Sequence, residues 1–111
     1  MKVYLIRHGE ARMDGERHLS KKGIEEVNSV CKKILEKKIT VDEIFHSGKV
    51  RAKETCEILV NKVFKNSEVT ISDDLSPESD ISILGTILNT EDKDLLLVGH
   101  LPFLPDLVYY L

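Results

Sequence analysis

The side chains best suited to chemistry stand where strand-like runs stop. Arg7, His8, Gly9 and Glu10 close the run that begins at Lys2; His46 and Ser47 close Val41 to His46, with Arg51 in the first turn of the helix beyond; Gly99 and His100 close Asp94 to Val98. In open parallel sheets ligands bind at the carboxyl ends of strands, so these residues, far apart in sequence, converge on one rim. Two arginines and two or three histidines on one rim suit a dianionic phosphoryl group, whose three equatorial oxygens are stabilised by bidentate guanidinium donors and positioned N–H groups. A neutral imidazole can attack phosphorus if its other nitrogen is tied to a backbone carbonyl, which selects the tautomer. His8 is the best nucleophile candidate, and Gly9 beside it lets an anion approach the backbone.

Plainer readings compete at each position. A strand-end histidine can simply bond a loop, Arg51 can pair with Glu54 or Asp42 on the surface, and Ser47 is most simply a helix N-cap. His18 and His46 read as solvated or structural histidines, and the lysines at 32, 33, 37, 38, 62 and 65 as solvated helix faces. A metal site built from His8, His46, His100 and Glu10 is disfavoured, because no HExxH or Cys/His spacing supports it and two nearby arginines would repel a dication.

The elements that must position these groups alternate. Lys2 to Arg7 is a buried strand. Ile24, Val27, Cys31, Ile34 and Leu35 recur at spacings of three and four, which predicts an amphipathic helix with Ser20 as N-cap and Leu19 and Ile24 as a hydrophobic staple. Val41 to His46 is a second strand, followed by a helix capped by Ser47 with Ala52, Cys56, Leu59 and Val63 facing inward. Val69 to Ile71 is a minor strand, Ser72 to Ser79 a polar loop carrying Pro77, and about Ile81 to Leu88 a short helix. Asp94 to Val98 has four consecutive apolar residues, as a parallel strand buried on both faces would. The end of the chain reads as a helix beginning near Pro102 or Pro105. This order predicts an α/β sandwich on a mainly parallel sheet with right-handed crossovers.

Four segments together resemble the histidine phosphatase superfamily, and within it the small protein-histidine phosphatases of the SixA type. They are Arg7-His8-Gly9 with Glu10-Ala11; Leu19-Ser20 with Gly23; Ser47, Arg51, Ala52 and Thr55; and Val98-Gly99-His100-Leu101-Pro102. The resemblance spans residues 2 to about 108. It implies a three-layer, phosphoglycerate mutase-like sandwich over residues 1–111 as one domain, and a phosphatase that needs no metal or organic cofactor. His8 would be phosphorylated while Arg7, Arg51 and His100 bind the phosphoryl group, with Gly9 beside it. The expected substrate is phosphohistidine in a protein such as a phosphotransfer domain. Leu75-Ser76-Pro77 looks like the SixA-type turn rather than a glutamate-bearing insertion, and an imidazole leaving group demands little acid catalysis. Glu78 and Glu10 are the candidate acids should the substrate instead be a small phosphate monoester. A third reading is a phosphate-binding or assembly module without turnover.

Two departures stand out. Gly48 replaces the usual proline after Ser47, and family domains continue for some tens of residues past the Gly-His-Leu-Pro turn, whereas here an apolar tail, Phe103 to Leu111, follows it; a patch of that kind predicts self-association, a partner or a fragment of a longer domain.

Composition bounds the remaining classes. The chain has 111 residues, 16 basic and 19 acidic side chains, a net charge of −3 and 41% hydrophobic residues, enough for one modest core. The charges are interspersed, which argues against nucleic-acid binding. No apolar run approaches the length of a membrane span, and the amino-terminal run is too short for a secretory signal, so a cytoplasmic location is expected. Cys31 and Cys56 fall on apolar helix faces, where buried reduced thiols are expected.

Overall fold

In a computed structural model of the protein, residues 2–71, 93–99 and 107–110 are described, the last four by their backbone alone. Val3–Arg7 forms β1, Lys21–Glu36 α1, Glu43–His46 β2, Val50–Lys62 α2, Glu68–Ile71 β3, Leu95–Gly99 β4 and Leu107–Tyr110 β5. The sheet order is β3-β2-β4-β1-β5, with β1 to β4 mutually parallel and β5 antiparallel to β1. This is the mainly parallel α/β sheet expected from the alternation of elements. The expected loop at 72–79 and helix at about 81–88 lie outside the described residues.

β1 and β4 form the centre because their side chains are apolar on both faces. Ile6, Ile44, Leu96 and Val98 pack with Val27 and Ile34 of α1 and with Ala52, Cys56 and Leu59 of α2 in one cluster. Residues of the opposite parity, Val3, Leu5, Leu95 and Leu97, are also buried, so the sheet is covered on both faces, as a three-layer sandwich requires. Each fully buried Leu or Ile contributes roughly 1.5–3 kcal/mol of transfer free energy, which makes the two central strands the anchor of the fold. Cys31 and Cys56 are free thiols in this core, as expected. Burial pushes the Cys56 thiol up to about 11, so it stays protonated and inert.

Ser20 caps α1 as predicted, its hydroxyl accepting the Gly23 N–H at 3.0 Å. The inward face, however, is Gly23, Val27, Val30, Cys31 and Ile34, while Ile24 and Leu35 are exposed at 43% and 60%. Ile24, the predicted partner of Leu19 in a hydrophobic staple, is thus partly exposed to solvent. A close approach of Gly23 to the backbone of Glu10 turns the helix so that the glycine, not its isoleucine neighbour, faces inward.

Ser47 is not the N-cap of α2 either. Gly48, at φ +86°, makes a turn between β2 and the helix, so the cap falls on Lys49, which has no side-chain cap bond. The Ser47 hydroxyl instead accepts the Lys49 N–H at 3.3 Å, and His46 Nδ1 accepts the Gly48 N–H at 3.1 Å. The inward stripe of α2 holds, with Ala52, Cys56 and Leu59 buried and Val63 partly so.

The largest correction concerns the end of the chain. Leu107–Tyr110 is a strand, not a helix, paired so that Ile6 faces Leu107 and Val3 faces Tyr110. The edge of β1 offers unpaired backbone N–H and C=O groups, and an uncapped stretch of β-branched and aromatic residues satisfies them by pairing.

Candidate active site

The parallel register brings the strand ends level. Arg7 pairs with Gly99, and the N–H of His8 donates to the Gly99 carbonyl at 3.1 Å, so the first residue past β1 is bound to the last residue of β4. His100 follows Gly99 directly, but its placement, like that of Glu78, lies outside the described residues.

Two helices hold the loop after β1. On one side Gly9 lies against α1, where a Cβ on residue 9 would come within 2.6 Å of the Gly23 carbonyl oxygen. On the other, the Gly9 N–H donates at 3.1 Å to the hydroxyl of Thr55, a fully buried residue of α2 whose own hydroxyl donates to the Arg51 carbonyl at 2.8 Å. The glycines and the threonine of the recognised segments thus form the contacts between loop and helices.

His8 Nδ1 lies 2.7 Å from the Gly9 carbonyl oxygen. A carbonyl only accepts, so Nδ1 carries the proton and Nε2 the lone pair. This is the arrangement a nucleophilic imidazole needs. The pKa of His8 is lowered, first by burial and then, against the opposing Gly9 hydrogen bond, by the positive charges of Arg51, Arg7 and Arg17. The lowered pKa favours the neutral imidazole in a cationic surrounding that would attract an anion. The structure brings together Arg7, His8, Gly9 and Arg51.

Arg17 was not anticipated. It belongs to a loop closed by an Ala11–Leu19 bridge and by the Arg12 N–H donating to the His18 carbonyl at 2.8 Å. Its backbone is left-handed at φ +59°, two residues after Gly15 at φ +55°. Nothing in the sequence around an arginine in a polar loop indicates that the loop folds back; Gly15 is the one residue there that suggests a turn.

Glu54 fastens this loop to α2, its carboxylate accepting the Leu19 N–H at 2.7 Å and lying 3.1 Å from His18 Nδ1. The His18 pKa is raised, chiefly by that hydrogen bond and the Glu54 charge, with Glu16 adding to it. His18 is thus a loop fastener, consistent with a structural role. His46 lines a separate cleft with Lys53, Cys56 and Glu57.

Glu10 donates its N–H to Glu26 at 2.8 Å, and its carboxylate meets the Ser20 hydroxyl at 3.2 Å and Lys22 at 3.5 Å. It is engaged with the start of α1. A cleft of about 180 Å³ opens beside His8, lined by Arg7, His8 and Gly9 on the strand side and by Glu26, Ser29 and Lys33 on α1. Among the described residues no three His, Cys, Asp or Glu side chains are grouped to hold a metal ion, and no helix is long and apolar enough to cross a membrane.

The family model for the histidine phosphatase superfamily, branch 1, matches residues 3–78, the stretch that carries Arg7, His8, Gly9 and Arg51. The chain belongs to that superfamily. Among solved structures, a protein histidine phosphatase SixA complexed with tungstate is similar to this chain at a TM-score of 0.82 and 24% identity, over 92% of this chain and 70% of that one. SixA from Agrobacterium tumefaciens is similar at 0.81 and 21%, over 91% and 69%. Phosphoglycerate mutase from Plasmodium falciparum is similar at 0.65 and 24%, over 89% and 60%. These likenesses show a shared phosphoglycerate mutase-like fold, of which this chain spans about seven tenths in the SixA structures. No curated protein matches the sequence.

Proposed function

We propose that this member of the superfamily is a phosphatase of the SixA type that removes the phosphoryl group from phosphorylated histidine in a protein, through a phosphoenzyme on His8. The observation that carries this reading is the His8 imidazole itself, with Nδ1 committed to the Gly9 carbonyl and its basicity lowered by burial and by the arginine charges. Likeness to a structure named as a protein histidine phosphatase supports the choice of substrate.

In the first displacement, a bond forms between Nε2 of His8 and phosphorus while the phosphorus–nitrogen bond of the substrate breaks. Arg7 and Arg51 neutralise the equatorial oxygens, and His100 joins them in the reading that the resemblance to the superfamily implies. The departing imidazole takes a proton from solvent. Water then attacks the phosphorus on His8, releasing inorganic phosphate and restoring the neutral ring. No step uses a metal or organic cofactor.

An ester substrate would require protonation of an alkoxide leaving group, and Glu10 is a poor donor for it because its carboxylate is engaged with Ser20 and Lys22. Glu78 is the remaining candidate acid. A single-turnover comparison of a phosphohistidine-bearing protein with a phosphate monoester tests the reading. The expected result is fast loss of phosphohistidine, slow ester cleavage and no effect of Glu78→Ala on the former. Ester cleavage as fast as phosphohistidine loss, and crippled by Glu78→Ala or Glu10→Ala, would replace the protein substrate with a small ester. Phosphate binding without turnover of either would leave a binding module.

A further inference from the structure

We propose that Thr55 is a positioning residue for phosphoryl transfer, the centre of a run of contacts that leads, through the backbone of Gly9, from the helix that carries Arg51 to the imidazole of His8. Its kinetic consequence rests on the reading of His8 as the nucleophile.

The run has a fixed direction. The Thr55 hydroxyl donates to the Arg51 carbonyl at 2.8 Å and, its one proton used, can only accept from the Gly9 N–H at 3.1 Å. The Gly9 carbonyl then accepts the proton of His8 Nδ1 at 2.7 Å. Thr55 therefore acts on the ring through the orientation of Gly9, without touching substrate.

Glycine is the residue least able to hold that orientation unaided. Here it is pinned from both sides, by α1 at Gly23 and by the hydroxyl of α2. Because Thr55 is fully buried, no water replaces the hydroxyl if it is lost, and the His8–Gly9 peptide, which carries the Gly9 N–H, shifts to seek another acceptor. The Gly9 carbonyl, in the next peptide, follows through the freely rotating Gly9 dihedrals and leaves Nδ1; the ring gains access to the other tautomer, and Nε2 in that tautomer carries a proton and cannot attack. The same hydroxyl sits one helical turn from Arg51, so the distance between the nucleophile and a phosphate-binding side chain is set through one group.

The test combines two readouts on the folded full chain, in wild type, Thr55→Val, Thr55→Ala and Thr55→Ser. Nitrogen-15 NMR of the His8 ring reports the tautomer, and phosphorylation of His8 by phosphoramidate reports the transfer rate. Wild type and Thr55→Ser are expected to hold the proton on Nδ1. Thr55→Val is expected to show a tautomer mixture and transfer slowed about ten- to hundredfold, the scale of a small misplacement of a reacting group. Affinity for inorganic phosphate, set by arginines that remain, is expected to change less than about twofold. Thr55→Ala against Thr55→Ser isolates the hydroxyl if the valine variant fails to fold. A folded hydroxyl-free variant with the wild-type tautomer, or a serine variant as impaired as the alanine one, would overturn the proposal. The tautomer reading stands even if phosphoramidate leaves His8 unmodified, an outcome that would count against the phosphoenzyme instead.

Discussion

In the proposed reaction His8 acts by being neutral where an anion is wanted. Its pKa lies below the ordinary imidazole value of about 6.5, because burial and the arginine charges all oppose protonation. The acid limb of the pH–rate profile should accordingly fall below that value, with activity lost as pH drops through the lowered pKa. Stability follows the same sign. The unfolded chain takes up this proton at a higher pH than the folded one, so His8 costs stability as pH falls from the ordinary imidazole value towards its own. A pH–rate profile with its acid limb above 6.5 would contradict this account of the site. Arg51→Ala should lower the rate of phosphoryl transfer by about 10²–10³, the scale seen when a transition-state donor is removed. Arg7, His8, Gly9 and Arg51 were legible in the sequence because each sits at or just beyond a strand end. Arg17 was not, because its closeness to His8 depends on two left-handed residues and a carboxylate 37 positions away.

At the scale of elements, the site is made by two helices gripping one loop. Glycine at 23 is required because a Cβ there would run into the backbone of Glu10. Gly23→Ala should destabilise the protein by about 1–3 kcal/mol, as overpacking does, with a matching fall in the thermal midpoint. Glu54→Ala should release the Arg12–His18 loop, visible as faster amide exchange at Leu19, whose N–H the carboxylate accepts. Unchanged exchange there would remove Glu54 as the fastener. The four parallel strands and both helices could be read from periodicity. Their rotations and caps could not: Gly23 rather than Ile24 faces inward because of a backbone contact, and the Gly48 turn moves the start of α2 past Ser47.

For the whole molecule, the four parallel strands set the rim and β5 closes the edge of β1. The sequence of Leu107–Tyr110 suits a helix or a strand equally, and the open edge decides. Deleting residues 107–111 should expose the backbone of Val3–Ile6, lower the thermal midpoint and promote association, measurable by analytical ultracentrifugation. The fold also fixes what the central claim means, since the ends of β1 and β4 place His8 beside Gly99 and the start of α2 brings Arg51 towards it. The most direct test of that claim is to mix the protein with a phosphohistidine-bearing protein, quench within one turnover and locate the phosphoryl group by mass spectrometry under alkaline conditions. Phosphate transiently on His8, and absent from a folded His8→Ala variant, is the predicted result. Substrate turnover with no phosphate on His8, or undiminished turnover by His8→Ala, would contradict it.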